Sequence, residues 1–282
     1  MRDVAIAYRI YPKVAESAAG LPFAEDKFQL SEICLRSLKK SLSGLRVKLW
    51  VLLDECPKKY EDLFRLYFGD EDLVLFPLEG AGNQETFARQ IDLLLQQTES
   101  EVVYFAEDDY FYLPDQFRCM IDFLLAHQDV HFVSPYDHLD DYTTALHHNR
   151  KWLRAHGGRH WRSAASTCLT FLTRRETLRK TGHVFRGYKR RSLDCSMWLS
   201  LTKRRIFDIG FFFRHLFREP LSCKIVLKAW LYFWRQILFG QKWTLWVPLP
   251  GIATHFDIRA LPPVVDWPKL IGQEGEEIKL GF

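Results

Sequence analysis

The chain has 282 residues, 48% hydrophobic and 15% aromatic, enough for one large domain, or one domain plus an appendage, around a substantial core. Its formal net charge is only +4, so the chain as a whole does not read as a nucleic-acid binder.

Val4–Ile10 reads as a first strand ending at Arg9-Ile10. Gly20 to Asp26 reads as a loop. Leu30, Ile33, Cys34, Leu38 and Leu42 follow a helical spacing, and Gly44 stops that helix. Residues 47–53 form a second apolar strand leading into Asp54-Glu55. Pro57 opens a helix that Gly69 closes, and 73–76 is a short strand. Asn83 is an N-cap for a helix over 84–98. Residues 102–106 are a β-branched and aromatic run that ends in three carboxylates, Glu107-Asp108-Asp109. Pro114-Asp115 starts a helix over 114–127, and 130–134 is another strand. Strand and helix alternate through this half, which predicts an α/β fold: a mostly parallel, doubly wound sheet with helices on both faces. Ligands of such sheets bind beyond the carboxyl ends of the strands, where Asp54 and the acid triplet lie.

The triplet is the most informative feature. Three acids at a strand end repel one another unless a cation sits among them. Mg²⁺ or Mn²⁺ is the usual solution, because these ions take hard oxygen ligands and keep positions open for substrate phosphates. The alternatives are a solvated acidic turn or helix capping, and Pro114-Asp115 leaves capping little to explain.

Residues 136–162 are polar and hold His138, His147, His148, His156 and His160, whose spacing matches no metal motif. A mobile loop on the acceptor side is expected there. Residues 163–173 read as a strand and 175–180 as a helix. Asp194 precedes a helical run, 195–201, and could cap it. Six widely spread cysteines form no C-x-x-C pair and no zinc spacing. The start, Met1-Arg2-Asp3-Val4, lacks the regions of a signal peptide, so a cytoplasmic location is expected.

Basic residues are concentrated in Arg174-Arg175, Lys189-Arg190-Arg191 and Lys203-Arg204-Arg205. These favour a polyanionic ligand or an anionic membrane surface, or are solvated faces. In 224–242, Lys224, Lys228, Arg235 and Lys242 fall within about 40° on a helix. The rest of that circumference is almost wholly aromatic and aliphatic. Two readings stand: a helix in the membrane interface, which would place the site beside a lipid-linked acceptor, or a helix packed on the sheet with one wet edge.

Taken together, these residues resemble a nucleotide-sugar-dependent glycosyltransferase of the GT-A fold over roughly 1–205, with 206–282 as a C-terminal aromatic and basic helical extension. The resemblance rests on the strand-helix-strand unit ending in Asp54, and on Asn83 with Phe87-Ala88-Arg89-Gln90, similar to the Asn…Ala-Arg stretch of family 2 enzymes. It rests also on Glu107-Asp108-Asp109 as a variant Asp-x-Asp motif, and on Asp194 about 85 residues later. The triplet with Pro114-Asp115 and Phe117 is also similar to the Golgi N-acetylglucosaminyltransferases. The resemblance implies transfer from a nucleotide-sugar donor to a glycan or lipid-linked acceptor with Mn²⁺ or Mg²⁺. It implies that Asp109 binds the metal, that Glu107 and Asp108 contact metal-bound water or the donor ribose, and that Arg9, Asp54, Asn83 and Arg89 line the donor site. Asp194 would be the general base of an inverting reaction, although Leu193 stands where the family carries a second acid. His255 resembles a late histidine on metal or phosphate. A nucleotidyltransferase is the alternative enzyme, but 9–13 offers no Gly-rich phosphate loop. The remaining alternative is a non-catalytic carbohydrate-binding or membrane-binding protein.

Overall fold

The computed structural model describes residues 1–13, 24–190 and 192–280, so most of the loop expected at 20–26 lies outside the described residues. The first half runs β1 (Val4–Ile10), α1 (Lys27–Ser41), β2 (Val47–Asp54), α2 (Lys58–Tyr67), β3 (Leu73–Leu78), α3 (Gly82–Gln96), β4 (Val102–Glu107), β5 (Tyr110–Tyr112), α4 (Phe117–Ala126) and β6 (Phe132–Val133). The second half runs α5 (Asp140–Thr143), β7 (Leu153–His156), β8 (Arg159–Ala164), β9 (Phe171–Arg174), α6 (Arg175–Phe185), α7 (Asp194–Thr202), α8 (Ile209–His215), α9 (Pro220–Phe239), β10 (Leu245–Leu249), β11 (Ala253–His255) and α10 (Trp267–Leu280). The central sheet has nine strands in the order β3-β2-β1-β4-β9-β6-β10-β8-β7. All run in one direction except β9 and β8. The expected mostly parallel, doubly wound sheet is therefore present.

Strand β1 shows why helices cover both faces. All seven of its residues are buried, as a central parallel strand requires. Alternate side chains point opposite ways. Val4, Ile6 and Tyr8 meet Leu35, Leu38 and Phe64 of α1 and α2. Ala5 and Ala7 meet Phe87 and Ile91 of α3. The small alanines let α3 sit close enough for buried Gln90 to donate to Ala7 O at 2.7 Å and Ala106 O at 3.0 Å. That side chain ties α3 to the β1/β4 seam. The strand order reverses at the same seam, because β2 and β3 lie on one side of β1 and β4 on the other. A doubly wound sheet opens its ligand crevice at such a point.

Several local expectations change. Helix α3 begins at Gly82 with Ala81 as N-cap, so Asn83 lies inside its first turn. Helix α4 begins at Phe117, not Pro114. Asp115 takes a left-handed φ of 57°, and buried Phe117 stacks edge-on against Tyr104 at 4.8 Å, so packing sets that start. Residues 163–173 are not one strand. The chain leaves β8, runs through 165–170 outside any strand, and enters the sheet again as β9. Helix α6 runs on to Phe185. The polar stretch 136–162 is not a simple loop either. It holds the β7–β8 hairpin, organised by buried Arg162, which pairs with Asp137 and, at 2.9 Å, with Asp141. Buried ion pairs gave this stretch a surface-like composition.

The segment 206–282, expected as a helical extension, contributes two strands. β10 inserts between β6 and β8 of the main sheet, and β11 pairs with β5. Helix α10 returns across α1, with Glu274 held by Arg36 at 3.0 Å and Lys40 at 2.8 Å. All six cysteines are free thiols.

Candidate active site

A cavity of about 520 Å³ opens beyond the carboxyl ends of β1, β2 and β4, lined by Arg9, Lys27, Asp54, Asn83 and the acid triplet among others. Parallel register places Arg9 beside Glu107. The two form an ion pair, and Arg9 also donates to Asn83 through its carbonyl, at 3.0 Å, and through its side chain. Glu107 takes a second bond from Thr170 Oγ1 at 2.8 Å, from the segment between β8 and β9.

Asp108 is matched differently. Lys27 Nζ, at the start of α1, lies 2.8 Å from its Oδ2, and the Tyr11 backbone N–H donates to the same oxygen at 3.2 Å. Burial and the neighbouring Asp109 charge push the Asp108 carboxyl upward against the pull of Lys27. Burial opposes the Lys27 charge, yet Asp108 and Asp109 outweigh it and raise the ammonium pKa. Nothing in the local sequence distinguishes Lys27 from a solvated lysine, and it was not among the expected site residues. Tyr188 and Thr170 were missed for the same reason.

Asp109 meets His255. The β5–β11 pairing sets His255 opposite Tyr110, and the Phe256 N–H donates to Asp109 O at 2.8 Å. This short two-stranded sheet carries a side chain 146 positions away to within 3.0 Å (Nε2 to Oδ2) of the Asp109 carboxylate. Burial disfavours the Asp109 charge, but His255, Lys27 and Arg9 overcome it and hold the carboxyl well below its usual range. Burial also disfavours the imidazolium, yet Asp109 raises it to about 9. Asp109 Oδ1 is buried without a hydrogen-bond partner among the described residues.

That unpartnered oxygen beside an imidazole nitrogen fits a divalent cation of the Mn²⁺ or Mg²⁺ kind. Among the described residues no cluster of three or more His, Cys, Asp or Glu side chains is placed to hold a metal. Ions that bind through one or two side chains plus substrate phosphates and water need no such cluster. Asp108 is paired with Lys27 and Glu107 with Arg9, so Asp109 is the carboxylate that could hold such an ion, joined by His255 if its ring gives up its proton and its bond to Asp109.

Asp54 lines the cavity and is also committed to a second job. Its two oxygens accept from the Ala81 and Gly82 N–H groups, each at 2.7 Å, and so satisfy the start of α3. These are the donors a helix leaves unpaired and an anion would otherwise seek. Asp54→Ala is expected to lower unfolding free energy by about 1–2 kcal/mol, the usual range for a lost cap, as read from a urea titration. Unchanged stability with lost nucleotide affinity would restore Asp54 to the donor site. Asn83 faces the cavity and also donates to Tyr188 Oη at 3.2 Å. Arg89 lies one turn deeper on α3, half-exposed beside Glu85 at 3.5 Å, and does not line the cavity.

Asp194 is the first residue of α7, with Leu193 as N-cap. Its Oδ1 accepts from the Cys195 N–H at 2.7 Å. Burial raises its pKa, with the Glu107 charge adding and that N–H opposing. It lies within electrostatic reach of Glu107, Tyr188 and His138, and it is not among the residues that line the cavity.

No family model matches the chain, and no curated protein matches it in sequence. Solved structures do share parts of its topology. The galactosyltransferase LgtC, in complex with donor and acceptor sugar analogues, is 9% identical over 97% of this chain and 95% of its own, at a TM-score of 0.49. A mannosyltransferase from Pyrobaculum calidifontis, in complex with GDP-Man and Mn²⁺, is 14% identical over 82% and 70%, at 0.40. A cytidylyltransferase from Leptospira borgpetersenii is 14% identical over 64% of this chain, which spans 62% of its length, at 0.35. Likenesses this loose carry no functional argument, and the chemistry of the cavity must do so.

Proposed function

We propose that this chain transfers a sugar from a nucleoside-diphosphate donor to a hydroxyl of a glycan or lipid-linked acceptor, with Mn²⁺ or Mg²⁺ held on Asp109 and His255. The observation that carries the reading is the unpartnered, buried Asp109 oxygen beside His255 at the switch point of the sheet. Such a transfer builds negative charge on the departing diphosphate, and a bound divalent ion supplies Lewis-acid stabilisation there.

The chain's own residues account for the rest of the reading. Arg9 and Lys27 hold Glu107 and Asp108 in place, so these side chains can meet a ribose or ordered water. Asn83 and Tyr11 line the same cavity and can orient the donor. Lys13, at its exposed mouth, adds positive charge for an incoming polyanion. Asp194 takes the proton of the incoming acceptor hydroxyl. Its raised pKa makes it a stronger base than a surface aspartate. A base on the face opposite the leaving group would give an inverting outcome.

A panel of nucleotide sugars, each with Mn²⁺ and with EDTA, tests this reading. One donor should be hydrolysed slowly in the metal arm only, and a shared acceptor should speed its consumption and give a product of inverted anomeric configuration by NMR. A response to nucleoside triphosphates instead would favour nucleotidyl transfer. No response to any member would leave the site without the chemistry assigned to it.

A further inference from the structure

Helix α9 is apolar on two sides, and folding accounts for only one. Val226, Ala229 and Ile237 pack inward in a small core with Leu199 of α7 and Phe211 of α8. The opposite side stands in water: Leu231 is 70% exposed and Phe239 79%, and the preceding segment adds Phe213 at 69% and Phe217 at 93%. Leu227, Leu231, Trp234 and Leu238 recur at helical spacing and form one exposed strip. Lys224, Lys228 and Arg235 form the strip alongside, while Lys242 lies beyond the helix end at Phe239. An outward apolar surface of this extent marks an interaction site.

The charge around it identifies the partner. Residues 203–242 hold nine Lys or Arg against two acids, a net of +7 in a chain whose total is +4. The basic surplus therefore lies in this segment, and the rest of the chain is slightly acidic. A second observation lies next to the strip. Helix α9 departs from helical geometry at Phe233, whose ring seats against Gly187, where any side chain would collide with it. Beside that kink opens a cavity of about 450 Å³ lined by His183, Arg186, Arg190, Leu231, Trp234 and Arg235. A basic, partly aromatic hollow on the edge of an exposed apolar strip suits a phosphate head group whose acyl chains lie against the strip. Among the described residues no helix is long and apolar enough to cross a membrane, so such a surface would lie in the interface, not span it.

We propose that α8, α9 and the basic hollow beside the kink form a docking surface for an anionic lipid bilayer. The segment that supplies Arg186 and Arg190 to the hollow also carries Tyr188, which bonds Asn83 in the wall of the donor cavity. Docking would therefore hold the donor cavity close to the bilayer surface. The surface is argued from its own residues and does not depend on the transfer reading.

Flotation of the full chain with phosphatidylcholine vesicles, and with vesicles of phosphatidylcholine and phosphatidylglycerol, tests the proposal without metal or nucleotide sugar. The chain should float with the mixed vesicles only, with a blue shift of tryptophan emission, and high salt should release it. Arg235→Gln should weaken partitioning about fivefold. Phe217→Glu with Leu231→Glu should weaken it at least about tenfold. Both sites are exposed, so circular dichroism and Tm should be unchanged. Absence from both vesicle types, equal binding to both, or undiminished binding by the double variant would overturn the proposal. So would a dimer, seen by sedimentation, that the double variant dissolves, since a second copy would then be the occupant.

Discussion

Asp109→Ala should abolish the Mn²⁺-dependent thermal response to the donor nucleotide while the fold survives. A ligand at about one hundred times its Kd stabilises the folded state by about 2.7 kcal/mol. For a chain of this size that corresponds to a rise in Tm of about 4–5 °C. The wild-type protein should show such a rise with one nucleoside diphosphate plus Mn²⁺, and a much smaller one with either alone. In Asp109→Ala the residual rise should be below about 1 °C relative to the variant's own unliganded Tm. The reference matters, because removing Asp109 also strips His255 of its partner. His255→Ala should weaken the metal response less, about 10-fold to 100-fold in metal affinity, if the carboxylate is the dominant donor. An undiminished response in Asp109→Ala would sink the metal assignment, and with it the reason the unpartnered Oδ1 is where it is.

The elements of the first half were readable because their signals are local. β1, β2 and β4 are mostly apolar runs, interrupted only by Lys48 and by charged residues at their carboxyl ends, as strands of a covered sheet require. The acid triplet was readable because three carboxylates at such a run's end conflict with one another. What neutralises them was not. Lys27 reaches Asp108 from a helix that begins 81 positions earlier, and His255 reaches Asp109 through a three-residue strand. Neither connection leaves a periodic trace. Three acids at a strand end suggest one shared cation. The folded chain gives each acid its own, Arg9, Lys27 and His255, and of the three only Asp109 has a buried oxygen without a hydrogen-bond partner among the described residues. Asp54 shows the opposite case. A strand-end aspartate looks like a ligand contact from sequence, and tertiary approach of the α3 start turns it into a cap.

Asp194→Asn should retain nucleotide binding, lose about 10²–10⁴-fold in transfer rate, and gain stability. The substitution is chosen because an asparagine oxygen can still accept from the Cys195 N–H, so the start of α7 keeps its bond. Burial is the largest influence on Asp194 and raises its folded pKa. Between the unfolded value and the raised folded value, the native state binds the proton more tightly than the unfolded chain does. Stability from this group is therefore full below the unfolded pKa and falls as pH rises through the folded one. At neutral pH the buried carboxylate is a destabilising feature. Asparagine has no proton to lose, so the variant's Tm should exceed the wild-type value near neutral pH, and the two should converge in acid. A residue that served only to start a helix would gain nothing from such burial, whereas a base gains strength from it. The wild-type rate should climb with pH as the carboxylate forms, and the variant's residual rate should lack that limb. If Asp194→Asn loses nucleotide binding or melts below the wild type, the residue is structural, and the acceptor's proton must go elsewhere.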